Sequence, residues 1–338
     1  MSNTAARSLI QPRAGGIWCE PGGFYVDPGR VVERAVVTHA HADHCRPGHK
    51  SMLATPETAA IARARHGAKA FGRVETLAYG TPQKIGDVTV TLFPAGHVLG
   101  SAQVLIEMGG ARAVVSGDYK RRADPSCAPF ELAECDLFVT EATFGLPVYR
   151  HPPVKDEIDR LLASMKRRPQ RAHLIGAYSL GKAQRLIAEL RVAGYDRTIW
   201  VHSALLKICR VYEAFGMPMG PLADASDLTG RALAGEIVIA PPGTVGNRWA
   251  EQLGDPVVVG ASGWMRVRKL ALGRGVELAL VISDHADWDE LTQTITDTGA
   301  GEVWVTHGKE DALIHWCGTK GIHAEALRLV GRGEEELV

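Results

Sequence analysis

Three histidines and one aspartate crowd into six residues directly after an apolar stretch, in the segment Val36-Val37-Thr38-His39-Ala40-His41-Ala42-Asp43-His44. A strand end crowded with imidazole rings gains nothing from packing, whereas borderline divalent cations prefer nitrogen and oxygen ligands held close together. His39 and His41 can face one ion, and Asp43 and His44 can turn towards a second. The segment therefore predicts a metal site at a strand end, and the fold must bring further ligands to that point.

Three more candidate residues follow apolar or alternating segments. His97 lies in FPAGHVLGS, Asp118 lies in VVSGDY, and Asp27 lies in VDPG. His97 or Asp118, taken alone, could be either a turn residue or a ligand, and Asp27 could simply open a turn before Pro-Gly. The spacing of these residues leaves those alternatives open.

The pattern of apolar residues predicts mixed α and β structure. Short strand-like runs fill the first third, Gly109-Gly110 predicts a hairpin turn, and 56–65 predicts a helix. After Pro152-Pro153, apolar runs at 173–177, 199–201, 237–240 and 257–259 alternate with amphipathic helices, as in a parallel-sheet domain. The remainder predicts a strand at 278–282, a helix near 287–297, a strand at 303–306 and a closing helix near 324–330.

Composition limits the partners of the chain. Its 338 residues are 46% apolar, and 38 lysines and arginines balance 38 aspartates and glutamates. No overall field attracts a polyanion, so any nucleic-acid site must be a local patch. The chain lacks an apolar run of about 18 residues and the order of a signal peptide at its start. We expect a cytoplasmic protein without a membrane partner, whose six cysteines are reduced.

Four motifs, HAHADH, AGHVLGS, SGDY and VTHG, occur in this order and resemble those of the metallo-β-lactamase superfamily. AGHVLGS and SGDY are similar to its nucleic-acid-cleaving branch, the β-CASP nucleases. The resemblance implies an α/β (α+β) fold, a metallo-β-lactamase αββα sandwich with an inserted β-CASP α/β domain. It also implies a first part at 1–147, an insertion at 148–280 and a closing part at 281–338.

The resemblance also implies a set of metal ligands. Two divalent ions, zinc or manganese, would be held by seven residues: His39, His41 and His97 on one ion, Asp43, His44 and His307 on the other, and Asp118 between both. Asp27 would support the ligand histidines from behind. These assignments come from the family motifs and not from the spacing of the residues.

Glu141 in VTEATFG and His285 in ISDHAD match two further motifs of the β-CASP branch. By spacing alone both would be ordinary surface residues. The resemblance implies that they are catalytic together with Asp43 and Asp118. In that mechanism a metal-bridging water, oriented by the two aspartates, attacks a phosphodiester, and His285, hydrogen-bonded to Glu141, protonates the leaving group.

Basic residues beside the motifs predict phosphate contacts. Ser179 and Lys182 follow a predicted strand and open a helix, where backbone amides and the ammonium group can bind a phosphate, and we expect Arg266 to contribute as well. Solvated charge on an exposed face is the alternative for each basic residue. The other candidates are Arg46, Lys50, Lys120, Arg121, Arg122, Arg185, Arg268 and Lys269.

The segments WCEPGGFYVDP, HAHADHCRPGH and ISDHADWDEL are similar to those of bacterial ligase-associated DNA exonucleases. This implies a single-strand-preferring exonuclease in DNA repair, associated with a DNA ligase and a helicase. Glu141 and His307 are instead the residue types of RNA-processing β-CASP enzymes, so an RNA substrate is the main alternative to DNA. A small-molecule metallo-hydrolase and a binding module without catalysis are the other classes.

Overall fold

The computed structural model describes residues 3–226, 233–245, 247–267 and 275–327. They form a mixed α/β protein, as predicted, with two compact units. The first unit comprises the described residues of Met1–Ala123, Cys127–Val148 and His285–Val338, and the second comprises those of Asp124–Ser126 and Tyr149–Asp284. The sequence placed the limits of the second domain at 148 and 280. No helix in the described part of the chain has both the length and the apolar character that a membrane span requires.

The first unit contains two sheets. The first sheet has the strand order β1-β2-β3-β4-β5-β6, antiparallel from β1 to β3 and parallel from β3 to β6. The short helix α1 (Asn3–Arg7) precedes it. The strands are β1 (Gln11–Arg13), β2 (Gly16–Cys19), β3 (Phe24–Val26), β4 (Arg34–Val36), β5 (Ser51–Ala54) and β6 (Arg73–Thr76).

The second sheet of this unit has the order β19-β18-β11-β10-β9-β8-β7. Its strands are β7 (Gln83–Ile85), β8 (Val88–Pro94), β9 (Ala102–Met108), β10 (Ala111–Val115), β11 (Leu137–Ala142), β18 (Glu302–Gly308) and β19 (His323–Ala326). Strands β10, β11 and β18 pair in parallel, while β9 is antiparallel to both β8 and β10. Strands β8, β10, β11 and β18 therefore run in one direction, and their carboxyl ends lie at one edge.

The two sheets face each other across a shared apolar core. Val26 and Val36 of the first sheet belong to the same buried cluster as Val104 and Val115 of the second. Val114, between Ala113 and Val115, belongs to a different cluster, because successive strand residues point to opposite faces. Successive side chains of β10 thus belong to the apolar clusters on opposite faces of the second sheet.

Helices cover the outer faces of both sheets. Helix α2 (Pro56–His66) begins after Thr55, whose hydroxyl accepts a hydrogen bond from Thr58 N, and it packs alanines on the first sheet. Helices α7 (Trp288–Asp297) and α8 (Glu310–Thr319) pack Leu291 and Leu313 on the second sheet. The layers of this unit are therefore helix, sheet, sheet and helix.

The second unit is built on an all-parallel six-stranded sheet with the order β14-β13-β15-β12-β16-β17. Its strands are β12 (His173–Gly176), β13 (Ile199–Val201), β14 (Leu222–Asp224), β15 (Ile237–Ala240), β16 (Val257–Ala261) and β17 (Leu278–Leu280). Its helices are α3 (Val154–Arg167), α4 (Lys182–Val192), α5 (Ser203–Ala214) and α6 (Arg248–Glu251). The predicted alternation of strands and helices is confirmed here.

One predicted element is wrong. The sequence indicated a closing helix near 324–330, but His323–Ala326 form β19, which pairs in parallel with β18. Residues 328–330 lie outside the described part of the chain. Pairing at the edge of the sheet overrode the local helical pattern.

Candidate metal centre

The topology brings the ends of six strands to one place. Val26 and Val36 end the parallel neighbours β3 and β4, so Asp27 and the segment from Thr38 leave the first sheet at one edge. In the second sheet, residues at or just beyond the carboxyl ends of β8, β10, β11 and β18 lie at one edge. These residues are His97, Asp118, Glu141 and His307.

The first group of candidate ligands consists of His39, His41, His97 and Asp118. His39 Nε2 lies 3.0 Å from His41 Nδ1, and His97 Nε2 lies 3.1 Å from the same atom. Asp118 Oδ2 is 3.4 Å from His39 Nε2 and 3.7 Å from His97 Nε2. One ligand atom from each of the four lies within 4.8 Å of the others. Donors gathered so closely can hold one metal ion.

The second group consists of Asp43, His44 and His307, whose ligand atoms also lie within 4.8 Å of one another. His44 Nε2 is 3.2 Å from Asp43 Oδ2 and 3.4 Å from Asp118 Oδ2. The ring centroids of His44 and His307 are 5.2 Å apart. Because Asp118 Oδ2 is close to histidines of both groups, this carboxylate lies where it can serve both.

Asp27 and Thr38 hold the ligand segment from behind. Asp27 Oδ2 accepts hydrogen bonds from Thr38 Oγ1 at 2.6 Å and from His44 Nδ1 at 2.7 Å. Asp27 Oδ1 accepts a third bond from Thr38 N at 2.8 Å. Nδ1 of His44 donates to this buried carboxylate, which directs Nε2 of that ring towards the ligand group.

Glu141 and His285 form a pair beside Asp118. His285 Nδ1 lies 2.9 Å from Glu141 Oε2 and 3.1 Å from Oε1, and Glu141 is 1% exposed. Tyr119 N donates to Glu141 Oε1 at 2.8 Å. Ligand atoms of Asp118, Glu141 and His285 also lie within 4.8 Å of one another. The proton on Nδ1 is therefore directed at Glu141, and the ring faces the rest of the group.

Electrostatics differ among the buried groups. Burial lowers the pKa of His39 well below its usual value, which keeps the imidazole neutral. Burial also opposes protonation of His44, but Asp43, Asp118 and Asp27 outweigh it and raise that pKa. Burial alone would raise the pKa of Asp118, yet the His44 ring holds it well below its usual range. Burial would likewise raise the pKa of Asp43, yet the same ring lowers it, so Asp43 and Asp118 are ionised at neutral pH.

Two observations test whether these residues fit a divalent cation. Imidazole nitrogens with carboxylate oxygens are the donors that zinc and manganese take in proteins. In addition, His44 Nε2 is buried and has no hydrogen-bond partner among the described residues, although two carboxylates lie within 3.4 Å. A cation would satisfy this nitrogen and both carboxylates. The residues therefore fit a metal ion.

His307 reaches the group through a β-bulge. Glu141 pairs with Thr306 and Ala142 pairs with Gly308, so the pairing register between β11 and β18 skips His307. His307 has φ of 54°, a left-handed conformation that non-glycine residues rarely adopt. A Cβ on Gly308 would lie 2.1 Å from Ala142 O, so the chain can pass here only with glycine.

The predicted substrate-binding residues lie in the second unit. Ser179 is in the turn after β12, and its carbonyl accepts a hydrogen bond from Gln184 Nε2 at 3.1 Å. Lys182 is the first residue of α4, is 5% exposed, and has Nζ 3.0 Å from Asp284 Oδ2. Arg266 is exposed in the short 3-10 helix Gly263–Arg266. A phosphate at Lys182 would compete with that carboxylate, so its role stays a prediction.

Other basic candidates pair with carboxylates. Lys50 Nζ lies 2.7 Å from Glu33 Oε1, and Arg121 Nη1 donates to Asp297 Oδ2 at 2.6 Å. Arg122 Nη2 donates to Asp287 Oδ2 at 2.5 Å. Arg268 and Lys269 lie outside the described residues.

Sequence reasoning missed the role of Thr38. Its hydroxyl lies 3.1 Å from His39 Nδ1 and donates to Asp27. Its carbonyl accepts a hydrogen bond from Ala102 N, which links the ligand segment to β9. The available signal was its position as the first polar residue after an apolar strand.

Comparison with known proteins finds relatives among nucleic-acid enzymes. A probable DNA ligase of Opitutus terrae is 30% identical over 316 residues, which are 92% of this chain and 30% of that protein. The endoribonuclease ysh-1 of Neurospora crassa is 29% identical over 202 residues, which are 55% of this chain and 23% of that protein. The chain thus spans less than a third of the length of these curated relatives. No family model matches it.

Comparison of folds finds a solved structure of similar architecture. A crystal structure of a protein of unknown function from Enterococcus faecalis superposes with a TM-score of 0.59 and 15% sequence identity. The match covers 88% of this chain and 80% of that one. At this identity the similarity concerns the fold alone.

Proposed function

We propose that this chain is a metal-dependent nuclease of the metallo-β-lactamase β-CASP type that hydrolyses phosphodiester bonds in DNA. The observation that carries the proposal is the position of Asp118, with Oδ2 3.4 Å from both His39 Nε2 and His44 Nε2. One carboxylate shared by two groups of histidines suits a site for two ions. The layers of the first unit and the parallel sheet of the second support the family assignment.

The ligand residues divide the chemistry among them. Two bound divalent cations, zinc or manganese, would acidify the attacking water and offset the charge that develops on the phosphate. Asp43 and Asp118, ionised at neutral pH, would accept a hydrogen bond from the attacking water and orient it. Asp27 would keep His44 in the orientation that ligation requires.

His285 would protonate the leaving oxygen. Its Nδ1 faces the buried carboxylate of Glu141, which fixes the ring and stabilises its charged form. The proton that is transferred would then come from Nε2. Thr143 Oγ1, 3.4 Å from His285 Nδ1, would help to hold the ring.

The relatives support DNA over RNA. The match to the probable DNA ligase extends over nearly the whole chain, whereas the match to the endoribonuclease covers about half of it. A segment like this chain is joined in one polypeptide to the rest of that ligase, which supports an association with a DNA ligase in repair. RNA processing remains the second candidate, because several relatives are endoribonucleases.

End-labelled oligonucleotides of one sequence test the proposal. The metal-loaded protein should degrade single-stranded DNA to mononucleotides faster than it degrades duplex DNA or RNA. Faster cleavage of RNA would replace the DNA assignment with the RNA one. Hydrolysis of thioesters or lactones without cleavage of bis(p-nitrophenyl) phosphate would indicate a small-molecule hydrolase, and metal binding without any hydrolysis would indicate a binding module.

The proton donor is tested by His285→Ala. We expect cleavage of DNA to fall about 10²- to 10⁴-fold, with metal content nearly unchanged. The rate of hydrolysis of bis(p-nitrophenyl) phosphate should fall far less, because its leaving group needs no proton at neutral pH. His315→Ala, which removes an exposed histidine from α8, is the matched control. Loss of both metals in His285→Ala would contradict the assignment.

A further inference from the structure

Glu290, in the first turn of α7, connects two segments of the candidate site. Its Oε2 accepts a hydrogen bond from Asp287 N at 3.1 Å, while Asp287 Oδ1 accepts one from Glu290 N at 3.0 Å. This reciprocal pair is the capping box that commonly begins a helix. A capping box needs only one oxygen of the glutamate.

The second oxygen has a different use. Glu290 Oε1 accepts hydrogen bonds from Arg121 N at 2.9 Å and from Arg122 N at 2.7 Å. Both amides belong to the segment that directly follows Asp118, almost 170 residues away in the sequence. Glu290 is 8% exposed, so water cannot readily replace its oxygens as acceptors.

Neighbouring contacts extend this link to the pair formed by Glu141 and His285. Ala286 N donates to Tyr119 O at 2.6 Å, and Tyr119 N donates to Glu141 Oε1. The segment that follows His285 is thus hydrogen-bonded to the segment that follows Asp118. The guanidinium of Arg122 donates to Asp287 Oδ2 and lies 3.8 Å from Glu290 Oε2, which offsets the buried negative charge.

We infer that Glu290 is a positioning residue: its carboxylate binds the segment after Asp118 to the start of α7 and so holds His285 at the distance from Asp118 that proton donation needs. This inference rests on the proposed role of His285. The capping box alone would stabilise α7 without regard to the reaction. A residue that aligns a proton donor must instead affect substrates according to their leaving groups.

The substitution Glu290→Gln tests this inference. The glutamine amide would face a backbone N–H in place of one oxygen, so either the cap or the contacts to Arg121 and Arg122 must be lost. We expect kcat for single-stranded DNA to fall about 10- to 100-fold. Turnover of bis(p-nitrophenyl) phosphate and metal content should stay close to those of the unchanged protein. KM for DNA should also change little.

Asp289→Asn is the matched control, because it removes an exposed carboxylate from the same helical turn. Asp289→Asn should change the turnover of neither single-stranded DNA nor bis(p-nitrophenyl) phosphate. If Glu290→Gln does not fold, Glu290→Asp, which keeps the charge but shortens the reach, gives the same comparison. An equal loss on both substrates, or loss of metal, would reduce Glu290 to a structural role and overturn the inference.

His285→Ala in the same assays separates the two ideas. A selective loss on DNA in His285→Ala without one in Glu290→Gln refutes only the positioning role. An equal loss on both substrates in His285→Ala refutes the proton-donor role itself, and the inference about Glu290 is overturned with it. Selective losses in both variants support both.

Discussion

Replacing Asp27 with asparagine should weaken metal binding without disturbing the fold. Asparagine has nearly the same size, and it tolerates the left-handed backbone at this position, where φ is 44°. The change is therefore confined to the side-chain head group. Alanine would add backbone strain and would be harder to interpret.

The magnitude follows from the three hydrogen bonds that Asp27 accepts. Its two oxygens receive Thr38 N, Thr38 Oγ1 and His44 Nδ1 at 2.6–2.8 Å. The amide of asparagine would direct N–H groups at one of these donors, in a site that is 2% exposed. A hydrogen bond to a charged group contributes about 1.5–3 kcal/mol. Since about 1.4 kcal/mol changes an equilibrium constant tenfold, the zinc Kd should rise about 10- to 100-fold.

Competition between the metal-free protein and a chromophoric chelator at fixed pH measures this change. Asp87→Asn, at an exposed turn of the same unit, is the control for the loss of one negative charge. Circular dichroism should show the same secondary structure in all three proteins. An unchanged zinc Kd in Asp27→Asn would refute the reasoning, because it would mean that the orientation of His44 does not depend on Asp27.

Three further predictions concern stability. Gly308→Ala should prevent stable folding of the metal centre, as a Cβ would overlap Ala142 O, whereas Gly109→Ala, with φ of 58° and open space, should cost about 1 kcal/mol; urea unfolding compares the two. Burial lowers the pKa of His173 to about 4, so the neutral ring contributes fully to the free energy of unfolding above about pH 6.5. This contribution is lost as the pH falls towards 4, and the loss is about 2 kcal/mol by pH 5. A histidine NMR titration midpoint near 6.5 would contradict this. Zinc at about 1,000 times its Kd should stabilise the first unit by about 4 kcal/mol, measured by thermal unfolding with and without chelator.

The sequence predicted correctly those elements that have a recognisable local pattern of residues. Gly109 and Gly110 join β9 to β10 as a hairpin, and α2 ends one residue from its predicted limit. Strand β19 carries little such signal, because its residues are only partly buried or exposed. Its pairing with β18 depends on a neighbour about twenty residues away, which periodicity cannot reveal.

The candidate site likewise contains residues that the sequence predicted and residues that it did not. The histidines clustered between His39 and His44 predict a metal site, because they lie so close together in the sequence. The roles of Thr38 and Glu290 arise from contacts with segments distant in sequence, such as the bonds from Arg121 N and Arg122 N. A threonine after a strand, or a glutamate at the third position of a helix, is too common to indicate these contacts from sequence.

The orientation of His307 shows why ligand geometry needs the tertiary structure. Val303 and Val305 pack on the helix-covered face of the second sheet, while Trp304 packs between the sheets. Strict alternation would therefore direct His307 to the helix-covered face, away from His44. The bulge opposite Glu141 and Ala142 breaks the alternation and turns the ring towards His44. Because the bulge requires a left-handed residue followed by a glycine, the pair His307-Gly308 determines the direction of this candidate ligand.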